Sequence, residues 1–255
     1  MSIEALDVLY LFASALAAGA LNAITGGGSF VSFPVLVFVG APTISANATN
    51  SAALFPGVLA SVTAYRRTIF PIKKRLIVLL VSSVFGGIVG GLLLIHTRET
   101  TFRQVIPFLM LFATLLFAFK DEVTRRVRSI TTNRITISYS LGIVVLVSLV
   151  AIYGGFFGGG LGILLLATLT LAGIEDTKDA VAAGRLLSAA INGISLIPLL
   201  LSGLVQPQLA LLMALGAILG GYFGAMLVRY LPTRVIRQFV ILVGATVTCY
   251  FFLNL

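Results

Sequence analysis

The sequence predicts an all-α polytopic membrane protein made of two inverted repeats, each a V-shaped pair of broken helices followed by three transmembrane helices. Three observations carry that expectation. Of the 255 residues, 59% are hydrophobic and only 10% charged, where a soluble domain carries about a quarter charged. Two glycine breaks, Gly26-Gly27-Gly28-Ser29 and Gly158-Gly159-Gly160, lie inside tracts with no charge from residue 8 to 65 and from 135 to 174. A glycine break in so long an uncharged tract points to a broken helix within a membrane, not a loop in water. Two such breaks, one in each half, point to a duplicated transporter.

The elements follow in order. A first segment runs from Val8 to Ile24, and after the glycines a short apolar arm runs from Phe30 to Val39, interrupted by Pro34. Ten helical residues rise about 15 Å, half of a hydrocarbon core of about 30 Å. The arm therefore either dips in and stops or is extended by its flanks into a kinked crossing. After the turn Gly40-Ala41-Pro42-Thr43, a span from Ser45 to Tyr65 carries Asn47, Thr49, Asn50 and Ser51 near its start. Several of these share one helical face, which should look into the protein and away from lipid.

Arg66, Arg67, Lys73, Lys74 and Arg75 close the unit. A span from Leu76 to Ile95 follows, with Gly86-Gly87 and Gly90-Gly91 at the spacing that lets helices pack closely. Gln104 to Phe119 form the next. The polar connector, residues 120–134, separates a first repeat (8–119) from a second (135–253). The second repeat reads as Ile135 to Ile152, the run Tyr153 to Gly160, an arm from Leu161 to Ala172, and spans at 180–201, 209–228 and 235–253. The landmarks return in the same order: Phe85 to Gly91 aligns with Leu215 to Gly221, and Phe102-Arg103-Gln104-Val105 with Ile236-Arg237-Gln238-Phe239.

Charge sets the topology. If each V returns to its starting side, every lysine and arginine except Arg98 and Arg103 falls on one side. The positive-inside rule makes that side cytoplasmic, leaves both termini periplasmic, and makes the repeats inverted. The net charge of +9 thus reflects topology. It is not a nucleic-acid groove, since no aromatic residues interleave the basic clusters. Cys249 is the single cysteine, so neither a disulfide nor a cysteine metal site forms within one chain.

The candidate site lies at the breaks. Backbone N–H groups at the start of each arm are free, and the helix dipole is positive there. Facing one another, the two starts would make an anion cradle from the amides of Gly28, Ser29 and Phe30 and of Gly160, Leu161 and Gly162. The competing reading is that the glycines only let helices cross. Asn22, Thr25 and Ser29 surround the first break, with Asn50 and Ser51 on the following span and Ser188 and Asn192 on its counterpart. Each asparagine can donate to an oxyanion or bond the carbonyls of a broken helix. Arg185 lies roughly 7 to 10 Å along a helix that starts near Lys178, where it either snorkels to the cytoplasmic face or offers a positive charge to a passing anion.

Enzyme chemistry finds no footing. There is no nucleotide-binding lysine loop, and His96, the single histidine, sits beside Arg98 and Glu99 in an exterior loop. No cofactor or metal is implied. No acidic residue lies within any predicted span, which speaks against a carboxylate proton relay or a cation pathway.

Gly26-Gly27-Gly28-Ser29 with Asn50-Ser51, and the later run Gly154 to Gly162, resemble the sulfite exporter TauE/SafE family of bacterial permeases over residues 8–253. The resemblance implies transport of a small sulfur-containing or organic oxyanion across the inner membrane, driven by an ion gradient, with protons as one candidate coupling ion. It carries the central site onto Asn22, Gly26, Gly27, Gly28, Ser29 and Asn50, and onto Gly158, Gly159 and Gly160. Family members commonly have Thr-Ser-Leu where this chain has Thr49-Asn50-Ser51, and the second counterpart, Gly184-Arg185-Leu186, departs further. A passive anion channel of the same fold and a membrane assembly protein without transport are the alternative functions. A homodimer and a monomer are equally compatible with the sequence. Lipid and a small anion are the expected partners, with no nucleic acid.

Overall fold

A computed structural model describes residues 5–24, 27–72, 76–131, 141–174, 176–227 and 233–253, and among these every regular element is a helix. In order they are α1 (Ala5–Ile24), α2 (Ser29–Phe38), α3 (Thr43–Ala64), α4 (Arg66–Ile72), α5 (Ile77–His96) and α6 (Glu99–Ala118). Then come α7 (Lys120–Thr131), α8 (Leu141–Phe156), α9 (Leu161–Leu171), α10 (Thr177–Leu201), α11 (Pro207–Leu227) and α12 (Thr233–Leu253). Four of them, α1, α5, α6 and α10, contain stretches long and apolar enough to cross a membrane.

Ten of the helices fall where the apolar segments predict them, with three differences. The basic stretch after Tyr65 is not a plain loop but begins with α4. The connector opens with α7, whose helix is supported by bonds from Arg125 and Arg126 to Glu122 one turn back. The third difference concerns the second break: α8 continues through Gly154 and Gly155 to Phe156, so the break is confined to 157–160. Gly154 and Gly155 are packing residues. A Cβ on Gly155 would lie 2.5 Å from the Gly87 carbonyl oxygen, and one on Gly154 would meet the Leu161 side chain.

Packing crosses between the halves reciprocally. α1 lies along α11 while α8 lies along α5; α3 packs on α11 while α10 packs on α5; α3 meets α10, and α6 meets α12. Each half offers the same helices to the other, the pattern of a self-complementary pairing. The glycines explain the closeness. A Cβ on Gly220 would fall on the Leu16 carbonyl, and one on Gly90 would fall on that of Ile152, so nothing larger than hydrogen fits at either contact.

Among the described residues two large apolar cores result, with a small third cluster of Ala18, Leu54 and Ala217. One gathers Phe30, Phe33, Phe102, Met110, Phe117 and Phe251 around α2, α6 and α12. The other gathers Leu79, Val147, Leu165, Leu169, Leu187 and Ile191 among α5, α8, α9 and α10. Large apolar side chains such as Phe85, Leu149, Leu211, Leu215 and Leu242 face outward. A water-soluble surface would not carry so many, whereas lipid accepts them at no cost.

Candidate functional site

α3 brings the two breaks together. Its first half carries polar residues that are almost wholly buried: Asn47 is 2% exposed, Thr49 1% and Asn50 2%. Asn50 reaches the first V, where its Oδ1 accepts from the Ser32 hydroxyl of α2 at 2.5 Å. Asn47, one turn earlier, reaches the second, where its Nδ2 donates to the carbonyl of Phe156 at 2.9 Å, the last residue of α8. One helical face thus ties both broken helices. Rings complete the approach: Phe33 of α2 meets Phe157 in the second break edge-on at 5.9 Å.

Each break has its own brace. At the first, the Gly28 amide donates to Asn22 Oδ1 at 2.8 Å, and a Cβ on Gly28 would fall on the Ala18 carbonyl. At the second, the Tyr153 hydroxyl donates to the Gly159 carbonyl at 2.5 Å. Gly158 and Gly160 have φ of +80° and +75°, a left-handed geometry that glycine takes without strain. α6 runs past both. A Cβ on Gly160 would lie 3.6 Å from Ala113, and one on Gly27 would lie 3.2 Å from the Phe117 ring.

The expected amide donors divide. Gly28 is taken by Asn22, Phe30 donates to the Gly27 carbonyl at 3.2 Å, and Leu161 donates to that of Gly158 at 3.3 Å. The amides of Ser29, Gly160 and Gly162 donate to no group among the described residues. Neither α2 nor α9 has a side-chain cap, so among the described residues part of the positive end of each helix has no acceptor. Gly162 is exposed, away from the buried group. Thr25 and Gly26 lie outside the described residues.

The remaining predicted residues are placed as follows. Ser51 Oγ donates to the Asn47 carbonyl at 2.9 Å, stiffening the face that carries Asn47 and Asn50. Asn192 Nδ2 donates to the Ser188 carbonyl at 2.8 Å. Its Oδ1 faces the second break, 4.0 Å from where a Cβ on Gly158 would stand. Arg185 is half-buried on α10, seven residues before Asn192 and so about 10 Å along the helix from the breaks.

Four contributors escaped the sequence reading of the site. Ser32, Asn47 and Tyr153 fix the breaks as described, and Asn47's position three residues before Asn50 was the available signal. The fourth is Glu99. Its carboxylate, at the start of α6, accepts from the amide of Thr43, from Thr43 Oγ1 at 2.7 Å and from the Ile44 amide at 3.2 Å. It caps α3 from 56 residues away, beyond the reach of any local capping pattern. Thr49 Oγ1 also leaves the central face, accepting from the Gln206 amide at 3.0 Å and so tying α3 to the loop before α11.

Apolar-coated helices around a buried, neutral polar centre where two broken helices meet define a multi-pass membrane protein of the transporter class. The comparisons with known proteins agree. The family described as "Sulfite exporter TauE/SafE" matches residues 11–251, and the chain belongs to it. A "Probable membrane transporter protein" of Haemophilus influenzae is 28% identical over 93% of this chain and 91% of its own length. "Probable membrane transporter protein ORF9" of Sinorhizobium sp is 29% identical over 92% of this chain and 88% of its own. "Probable membrane transporter protein YfcA" of Escherichia coli is 28% identical over 93% and 87%. No solved structure matches the chain significantly. The protein is a membrane transporter.

Proposed function

We propose that this transporter is a secondary carrier for a small sulfur-containing or organic oxyanion, such as sulfite, a sulfonate or sulfoacetate, coupled to an ion gradient across the bacterial inner membrane. The observation that carries this reading is α3's double tie, Asn47 to the end of α8 and Asn50 to Ser32 of α2. Around it lie two helix starts without side-chain caps, where the amides of Ser29 and Gly160 donate to no group among the described residues, and neutral side-chain donors. Neutral donors and helix dipoles suit an anion that must be released again, whereas no buried carboxylate among the described residues offers a seat for a cation. Because one helix holds both breaks, rocking of one half on the other would move both arms together, which suits alternating access. The reciprocal packing of the halves and the one-sided basic clusters support two inverted repeats with periplasmic termini.

The test begins with thermal stabilisation of purified protein by sulfite, sulfate, thiosulfate, small sulfonates and carboxylates, followed by liposome uptake of the stabilising class with and without a proton gradient. One class should stabilise saturably and be taken up with counterflow. Asn50→Ala should weaken its binding by about 1–3 kcal/mol, the cost of a charge-assisted bond left unmade. If no anion stabilises intact protein and none is taken up, the reading fails.

A further inference from the structure

α3 ends at Ala64, the chain turns at Tyr65, and α4 folds back against α10. A shallow, open recess lies at this corner, lined by the exposed residues Ala60, Thr63, Ala64, Arg66 and Arg67. On the other side of the turn, Tyr65 is close enough to Arg185 of α10 to interact with it electrostatically. Arg66 and Arg67 therefore flank the recess, and Arg185 lies beyond Tyr65 on α10, the helix that α4 packs against.

Among the described residues none of the three is neutralised. Among the described residues the ion pairs are those of Glu122 with Arg125 and Arg126 on α7. Arg66, Arg67 and Arg185 have no hydrogen-bond or ion-pair partner there. The acidic residues at the start of α10 do not fill the role. Asp176 accepts from the amides of Lys178 and Asp179, and Asp179, six residues before Arg185, points from a different face of the helix. A half-buried guanidinium without a counter-charge is costly unless an anion visits it. Arginine's planar fork matches an oxyanion bidentately.

We propose that this corner is a second anion-binding site, in which Arg66 and Arg67 at the mouth and Arg185 behind Tyr65 receive a sulfonate, sulfate or phosphate-type oxyanion. The site stands apart from the breaks, two helical turns along α10 from Asn192. Its place in transport, as the station where the anion waits on the basic side, rests on the anion-carrier reading above. Its binding chemistry does not. Two sources share that chemistry: a free oxyanion and the phosphate of an anionic phospholipid.

The test places a single cysteine in the recess, Thr63→Cys in a Cys249→Ser background, and follows its rate of labelling by a small thiol reagent. Sulfate, phosphate or ethanesulfonate should slow labelling saturably. Arg66→Gln/Arg67→Gln should raise the protecting concentration by about tenfold or more, while Asn50→Ala leaves it unchanged. Arg185→Lys should weaken protection less than Arg185→Gln, checked on variants that elute as intact protein. Protection in nanodiscs of phosphatidylglycerol but not phosphatidylcholine, unrelieved by free sulfate, would assign the site to lipid headgroups. Labelling that no oxyanion or anionic lipid slows, or protection that survives loss of both mouth arginines, overturns the proposal. Saturable uptake without protection of the introduced thiol would sink this site and leave the carrier standing; protection without uptake would do the reverse.

Discussion

Just before α2, Gly28 keeps ordinary right-handed geometry, with φ −60° and ψ −37°, values open to any residue. Glycine is required there for space, because a Cβ would strike the Ala18 carbonyl and the Asn22 carboxamide. Between α8 and α9 the situation is reversed. A Cβ on Gly160 would find its nearest neighbours at 3.6 Å, an ordinary contact, but φ is +75°. At Gly28 the break is held by crowding and side-chain bonds, at Gly160 by backbone conformation. These two positions, which close runs that look alike in sequence, are glycine for different physical reasons.

The largest predicted effect separates those reasons. Gly28→Ala should lower the apparent unfolding temperature of detergent-solubilised protein most, because backbone must move to admit the methyl, at or above the top of the usual overpacking range of about 1–3 kcal/mol. Gly160→Ala should cost about 1–2 kcal/mol, the left-handed penalty alone. The informative member is asparagine, which tolerates left-handed geometry. Gly160→Asn should be milder than Gly160→Ala, and Gly28→Asn worse than Gly28→Ala. The same ranking at both positions would abolish the distinction.

A smaller contrast lies in the braces. Asn22→Ala leaves the buried Gly28 amide without an acceptor, at about 1–3 kcal/mol. Tyr153→Phe removes a donor from the Gly159 carbonyl but keeps the ring packed on Phe112 and Phe157, so its cost should be nearer 0.5–1.5 kcal/mol. Comparing apparent unfolding temperatures of the two variants checks the order. If Tyr153→Phe proves the more damaging, the second break depends on its side chain as much as the first.

This asymmetry marks where the sequence stopped being legible. The glycine runs, the uncharged tracts and the polar start of α3 were visible because periodicity and the absence of charge are local properties. Which glycine needs space and which needs positive φ depends on what stands opposite. Ala18 and Asn22 are near in sequence, but Ala113 on α6 is not. Glu99 capping α3, Asn47 reaching Phe156 and Gly155 packing on Gly87 join residues far apart in the chain, and no window of sequence contains both partners. α7 is different: its signal, Glu122 followed by Arg125 and Arg126 at helical spacing, was present, and the polarity of the stretch concealed it.

α7 also gives the comparison its finest test, because it packs under α9, while the described residues place no connector helix against α2. Hydrogen bonds from Arg126 first, and from Arg125, hold the Glu122 carboxyl below the usual carboxylate range. A folded-state pKa that is depressed contributes stability above the unfolded value and loses it as pH falls through the folded one. Glu122→Gln should therefore differ from the parent at neutral pH and converge with it as acid protonates the carboxylate. The pair is open to solvent, so the difference should be about 1 °C or less in apparent unfolding temperature and should shrink with added salt. A drop as large as that of Tyr153→Phe would mean that the second break is braced from outside through α9 as firmly as from within, a support for which the described residues show no counterpart beside α2.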